Sequence, residues 1–476
     1  MWTALLILAL PAPIAAAAQD TLRQRVEERL RQAGPGTRFG LVAATEDGKE
    51  LVAIAPEDRF IPASNTKMFT TAAAFATLSG LDEPDRTGGA AVRLEGADVV
   101  LEGNGDARLS SAPDCVTDCL AALADAVAAK TRNVRHVVGD ASLFPDQRWS
   151  PGMSWNNIPT RSGTAISALS LDDNELAMVV TPGAPGKAPA IEGPAYYQVE
   201  NRAVTVAAGA TNLDAERLPG STAVRLTGTI VAGPKTELVR LGIDDPAHYA
   251  AWRLKQLLEA RGVRVTGEVS SRYRRLTPAD DPKARNGAPP PRPPRQEVLA
   301  KLTPPPLIED LGHTNKVSQN LHAELLLRRV GLQQGSGSIA DGVAAVRAML
   351  ERAGVPRTSY DFSDGSGMST YNRVAPRGMV TFLRWIAAQP WGAAYRETLP
   401  VAGVDGTLRS RFGGTPLERR LFAKTGSLNA TNALSGYMIA KSGRTLVFSV
   451  YANDVPEGVG ATRTMDAALQ LIAEAN

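Results

Sequence analysis

Apolar residues recur at helical spacing at Leu22, Val26 and Leu30, and Gly34-Pro35-Gly36 ends that pattern, so residues 21–33 predict a helix. Two strand-like runs follow, residues 39–44 and 50–54, joined through Asp47-Gly48, a dipeptide that favours a tight hairpin. The far end mirrors this arrangement. Residues 421–427, 433–439 and 445–452 read as successive antiparallel strands with Ser442-Gly443 at one turn, and residues 461–475 read as a closing helix. Terminal helices flanking five strands predict an α+β domain whose antiparallel sheet is built by both chain ends.

The middle has a different texture. Residues 90–275 are rich in Val, Gly and Thr, with short alternating runs such as 223–231 and 263–271 that read as β. Residues 277–306 are Pro-rich, with Pro289-Pro290-Pro291 and Pro304-Pro305-Pro306, and predict an exposed, semi-rigid connection. The middle therefore reads as an insertion into the terminal domain. At 476 residues the chain is too long for one ordinary core, which agrees with two or three domains.

Composition narrows the class. Apolar residues make up 43% and charged residues 21%, the balance of a soluble enzyme. The net charge of +3 and the lack of a basic run give no electrostatic footprint for nucleic acid. Residues 1–18 form a short apolar run ending in Ala15-Ala16-Ala17-Ala18, which reads as a secretory signal even though its start lacks Lys and Arg. No later stretch reaches eighteen apolar residues, so the mature protein is expected in the periplasm without a transmembrane anchor. Cys115 and Cys119 are the only cysteines; export permits a local disulfide, and a turn near Pro113-Asp114 would bring them together.

Three short segments carry the chemistry. Ser64-Asn65-Thr66-Lys67 opens an apolar helical run, which puts Ser64 and Lys67 on one face. A serine hydroxyl is a weak nucleophile, and a neighbouring amine can take its proton when burial lowers the amine's pKa. Alone, this spacing is a weak signal, and a helix cap followed by a surface lysine is the commoner cause of it. Ser318-Gln319-Asn320 falls between two helical runs, and Lys424-Thr425-Gly426-Ser427 falls on a C-terminal strand. Such a strand can line a cleft, pair with an extended peptide and offer a lysine to a carboxylate.

The trio, in this order, resembles the serine, second-serine and K-T-G signature of β-lactamases and penicillin-binding proteins. The gap of about 250 residues between the first two segments resembles one family in particular. That family is the D-alanyl-D-alanine carboxypeptidases and endopeptidases known as class C low-molecular-mass penicillin-binding proteins, whose members carry two extra domains there. Gly103-Asn104-Gly105-Asp106, Ile166-Ser167-Ala168-Leu169, Asp364-Gly365-Ser366-Gly367-Met368-Ser369 and Val404-Asp405-Gly406-Thr407-Leu408 match it too.

The resemblance implies a serine β-lactamase-like domain (19–90 and 296–476) with two β-rich inserted domains, 91–165 with 262–295 and 166–261. It also implies Ser64 as nucleophile, Lys67 as base, Ser318 as proton relay and Asn320 as a donor to the substrate amide. Lys424, Thr425 and nearby Ser366 would hold the carboxylate, and the N–H groups of Ser64 and Ser427, beside Gly426, would form an oxyanion hole. Peptidoglycan stem peptides and β-lactams are the implied partners, with no cofactor and no metal.

Two departures concern the pocket that grips a charged diaminopimelate end in some members. Acidic residues of the family are replaced in Trp155-Asn156-Asn157-Ile158-Pro159-Thr160-Arg161-Ser162, and Thr370 stands where some members have Arg. Gln319 also replaces a frequent Asp. Among rival readings, a Ser-His-Asp hydrolase lacks a G-x-S-x-G elbow, and His136, His248, His313 and His322 read as packed or surface residues. A metal hydrolase finds no His/Asp/Glu cluster at ligand spacing in the sequence. A β-lactamase, or a penicillin-binding wall module that never turns over, shares the trio and stays open.

Overall fold

The computed structural model describes residues 13–286 and 296–476. Most of the expected signal segment and the Pro289-Pro290-Pro291 run lie outside the described residues. The chain forms two compact units. One comprises the residues up to Asn65 with Leu350–Asp361 and Asn372–Asn476; the other comprises Thr66–Met349 with Phe362–Tyr371.

In the first unit both chain ends build one five-stranded antiparallel sheet, as the hydrophobic pattern predicts. Its order is Leu421–Leu428, Thr431–Ile439, Thr445–Asn453, Arg38–Thr45 and Glu50–Ile54. The expected turn falls at Gly48, whose φ of 99° suits glycine. Helices Pro13–Arg31 and Ala461–Glu474 pack together on one face, burying Val26, Leu30, Leu469 and Ile472 with Leu41, Leu434 and Phe448 of the sheet. Helix Pro376–Ala387 covers the other face, where Tyr437 donates its hydroxyl to the Leu383 carbonyl at 2.8 Å. This two-sided burial explains why Thr445–Asn453 reads as a nearly continuous apolar run.

In the second unit, helix Thr66–Thr77 packs against helices Leu307–Lys316 and Asn320–Gly331. Residues between Ala91 and Lys301 form separate sheets. The first contains Val269–Arg274, Val137–Pro145, Asp98–Glu102, Ala91–Glu95 and Ala300–Lys301, with two parallel pairings. Two further sheets lie between residues 175 and 242. Helix Pro246–Glu259 packs on the first of these sheets, against Val137–Pro145 and Val269–Arg274.

The end of the Pro-rich stretch is built into structure rather than exposed. Ala300–Lys301 pairs with Ala91 and Val92, Pro304 is buried, and its carbonyl accepts from Asp85 N–H at 2.9 Å. Cys115 and Cys119 form a disulfide with their Cα atoms 5.8 Å apart. Among the described residues, no helix is long and apolar enough to cross a membrane.

Candidate active site

The predicted site residues divide between the two units. Ser64, Lys424, Thr425, Gly426 and Ser427 belong to the first, and Lys67, Ser318, Asn320 and Ser366 to the second.

Ser64 is central in a single tight turn, Ala63–Asn65, and the α-helix Thr66–Thr77 begins two residues later. Ala63 has φ 47°, a left-handed conformation that typically costs about 1–3 kcal/mol at a non-glycine residue. Neighbours in the same unit hold the turn in place. Ile61 N–H donates to Asn453 Oδ1 at 2.7 Å, and Asn453 Nδ2 donates back to the Ile61 carbonyl at 3.2 Å. Asn65 Nδ2 donates to the Lys424 carbonyl at 2.7 Å. Asn65 therefore ties the Ser64 turn to the K-T-G strand, a role the sequence did not reveal.

Gly426 permits this close approach. A Cβ at that position would stand 2.6 Å from the Pro62 carbonyl oxygen. Lys424 is fully buried and its Nζ donates to the Thr425 carbonyl at 3.0 Å. Thr425 Oγ1 donates to Thr407 Oγ1 at 2.7 Å, which brings in the Val404-Asp405-Gly406-Thr407-Leu408 segment. Ser427 is exposed. Among the described residues, the strand Leu421–Leu428 is an edge of its sheet and pairs only with Thr431–Ile439, apart from one bridge between Val401 and Phe422. An edge of this kind can accept an extended peptide by backbone hydrogen bonding.

The second unit brings Lys67, Asn320 and Ser366 together. Lys67 is buried, and its Nζ donates to Asn320 Oδ1 at 2.6 Å and to the Ser366 carbonyl at 2.7 Å. Burial pushes the ammonium pKa down to about 7, against an upward pull from the Asp364 and Glu324 carboxylates. A lysine in that position can accept and return a proton near neutral pH.

Ser318 adopts φ 65° in the turn between helices Leu307–Lys316 and Asn320–Gly331, a second strained serine-bearing turn. Gln319 accepts from Leu321 N–H at 3.2 Å through its side-chain oxygen and so caps the following helix. An Asp would serve there in the same way, which accounts physically for the exchange. Asn320 Nδ2 donates to the Ser162 carbonyl at 2.8 Å, anchoring the motif to the turn Arg161–Gly163.

Residues that the sequence reading missed surround Lys67. Gly365 and Ser366 N–H both donate to Glu324 Oε1 at 2.9 Å, and Thr70 Oγ1 donates to the Gly365 carbonyl at 2.7 Å. Burial, reinforced by Asp364, raises the Glu324 pKa. Arg328, also buried, donates to the Gln147 carbonyl at 3.1 Å. Asn320, Glu324 and Arg328 recur every fourth residue on one helix, and that polar stripe was the available signal.

His322 is packed and His313 exposed, as expected, and with Asp173 they form a group whose donor atoms all lie within 4.8 Å of one another. No cluster is visible in the sequence because Asp173 lies 149 positions from His322. Arg161, Asp172 and Asp173, the charged residues within the stretches 155–162 and 171–174, are each engaged by a partner. Arg161 pairs with Glu175 at 3.2 Å, Asp172 accepts from Ser111 N–H at 2.8 Å, and Asp173 pairs with His322 at 2.8 Å.

A family model for D-Ala-D-Ala carboxypeptidase 3 (S13) matches residues 22–475. The D-alanyl-D-alanine carboxypeptidase of Actinomadura sp. (strain R39) is 32% identical over 464 residues, covering 91% of this chain and 80% of that protein. The D-alanyl-D-alanine carboxypeptidase DacB of Haemophilus influenzae is 25% identical over 448 residues, covering 91% and 89%. The crystal structure of penicillin binding protein 4 from Haemophilus influenzae superposes with a TM-score of 0.75 at 24% identity. It covers 94% of this chain and 97% of that one, and shares its fold.

Proposed function

The chain belongs to the D-Ala-D-Ala carboxypeptidase 3 (S13) family, and from that premise we propose that it trims peptidoglycan stem peptides through an acyl-enzyme on Ser64. It is a serine-type D-Ala-D-Ala carboxypeptidase of the penicillin-binding kind with a serine β-lactamase-like α+β fold.

In the proposed reaction, neutral Lys67 takes the Ser64 hydroxyl proton as Oγ attacks the carbonyl carbon of the penultimate D-Ala. Negative charge collects on the carbonyl oxygen, facing the N–H groups of Ser64 and Ser427. Ser318 relays a proton to the leaving D-Ala amine, and water then releases the acyl group. Asn320 donates to the substrate amide, while Lys424 and Thr425 meet the terminal carboxylate, with Ser366 contributing through its hold on Lys67. β-Lactams enter the same path as acylating agents. DD-endopeptidase cleavage of cross-links uses the same steps with a different leaving group.

One observation carries this reading: Lys67 is buried, held at 2.6 and 2.7 Å by two oxygen acceptors, and its pKa is pushed down to about 7. Intact-mass spectrometry after penicillin treatment tests it. One adduct should map to the peptide holding Ser64 and vanish in Ser64→Ala; an adduct surviving that substitution refutes the assignment.

The domain division at 19–90 and 296–476, with inserted domains at 91–165 plus 262–295 and at 166–261, belongs to the same proposal. Support comes from the sheet that starts at Ala91 and takes in Val137–Pro145 and Val269–Arg274, although Ala300–Lys301 and helix Pro246–Glu259 join it from outside the ranges 91–165 and 262–295. Export to the periplasm, with cleavage after residue 18, completes the reading. Amino-terminal sequencing of exported protein should begin near Gln19, and recovery of Met1 would refute it.

A further inference from the structure

We propose that Asp173, His313 and His322 form a binding site for a borderline divalent cation, zinc above all, independent of the acylation site. The three come from separate elements. His313 lies in helix Leu307–Lys316, His322 in the first turn of helix Asn320–Gly331, and Asp173 in the turn Asp172–Asn174 of the insertion. Their donor atoms lie within 4.8 Å of one another, and the His313 and His322 ring centroids are 4.9 Å apart.

The surroundings prepare these residues as ligands. Buried Asp310 bonds His322 Nδ1, which fixes the ring and points Nε2 toward Asp173 Oδ1, 2.8 Å away. A carboxylate behind a histidine is the usual outer support of a metal-bound imidazole. Asn174, fully buried, pins the Asp173 turn by accepting from Leu171 N–H at 3.0 Å and donating to the Ala165 carbonyl at 2.9 Å.

The group faces an open cleft of about 530 Å³, so a cation has access and a fourth position remains for water. The two arginines lining the cleft are already paired, Arg108 with Glu309 and Arg240 with Glu175, each at 3.0 Å. Tetrahedral zinc with donors about 2.0–2.1 Å away needs them about 3.3 Å apart. His322 and Asp173 would therefore part slightly, the metal taking the place of the proton between them, while exposed His313 swings in. Two imidazoles and one carboxylate favour zinc, cobalt or nickel over magnesium or calcium.

Calorimetric titration of chelator-treated full-length protein with zinc chloride tests the site, with magnesium chloride as control and cobalt(II) absorption as a second readout. One zinc per chain is expected, no magnesium binding at equal concentration, and visible cobalt bands of a four-coordinate site. His313→Ala and Asp173→Asn should each weaken zinc at least tenfold, and Asp310→Asn also by about ten- to a hundredfold, while penicillin acylation persists. If His313→Ala lowers Tm, His313→Gln takes its place, since it retains volume without the imidazole. Absence of a zinc heat, equal binding of magnesium, or unchanged zinc affinity in both the His313 and Asp173 variants overturns the proposal.

Discussion

Lys67 Nζ lies 2.6 Å from Asn320 Oδ1, although the two residues are 253 positions apart. The acceptor is a neutral amide, so it holds the amine without the charge that would lock a proton on it. A carboxylate at the same point would raise the Lys67 pKa. The choice of Asn at position 320 thus bears directly on whether Lys67 can act as a base near neutral pH.

The pH profile of acylation follows. With its pKa lowered to about 7, Lys67 is mostly neutral above that pH and mostly protonated below it. The rate of β-lactam acylation should therefore rise as pH climbs through about 7 and level off above it. Lys67→Arg should lose activity at all accessible pH values, because guanidinium stays protonated. Stopped-flow acylation from pH 5.5 to 9 checks both; a flat profile or an active arginine variant sinks the base role.

Asn320→Asp provides a sharper test. The new carboxylate beside Nζ should move the acidic limb of that profile upward by about one unit or more, since an opposite charge within hydrogen-bonding distance favours the ammonium. At pH 7 acylation should fall at least about fivefold and recover partly at pH 9. A variant whose limb stays at the wild-type pH would show that the amide does not tune the lysine.

Gly426→Ala should damage the site from the strand side. Its Cβ would meet the Pro62 carbonyl oxygen at 2.6 Å and press on the turn that holds Ser64. Forced overpacking typically costs about 1–3 kcal/mol, and the displaced Ser64 turn should lower the acylation rate more than the stability loss alone explains. Urea melts alongside acylation kinetics at a temperature where the variant is folded separate the two effects.

The terminal domain was legible because its information is local. Asp47-Gly48 marks a hairpin, the apolar alternation marks strands, and residues 461–475 carry a helical period; the structure has Arg38–Thr45, Glu50–Ile54 and Ala461–Glu474 there. The three segments proposed to carry the chemistry were legible as motifs, but the polar bed around Lys67 was not. Glu324 and Arg328 resemble a surface pair at helical spacing, and only the packing of Thr66–Thr77 on Asn320–Gly331 turns that face inward. The insertion was least legible, because its parallel pairing of Val137–Pro145 with Val269–Arg274 joins segments about 130 residues apart. Non-local pairing of that kind leaves no period in the sequence.

Buried Arg328 and Glu324 should respond unequally to substitution. Arg328→Leu removes the cation while Glu324 remains buried with Oε2 lacking a hydrogen-bond partner, and should destabilise by about 3 kcal/mol. Glu324→Gln keeps an oxygen for the Gly365 and Ser366 N–H groups, and burial already pushes the carboxyl toward its neutral form. Its cost should stay under about 1.5 kcal/mol. Equilibrium urea unfolding of both variants distinguishes this order from its reverse.

The last prediction concerns the third residue of the stem peptide. The positions whose charges grip a diaminopimelate end in some relatives of the resembled family are here Asn156, Asn157, Ser162 and Thr370. Thr370 spends its N–H and hydroxyl on the Gly152 carbonyl, each at 3.0 Å, and Ser162 offers its carbonyl to Asn320. Substitutes for the lost charges would have to come from Arg161, Asp172 or Asp173, and each is bound to another partner. A charge-assisted hydrogen bond contributes about 1.5–3 kcal/mol, and about 1.4 kcal/mol is tenfold in affinity or rate. Lacking two such bonds, the enzyme should prefer a free diaminopimelate end over a neutral or acylated analogue by less than about tenfold. Two peptides ending in D-Ala-D-Ala and differing only in that end supply the measurement, as a ratio of kcat/KM. A preference above about a hundredfold would require a charged group at the pocket and would refute this reading of it.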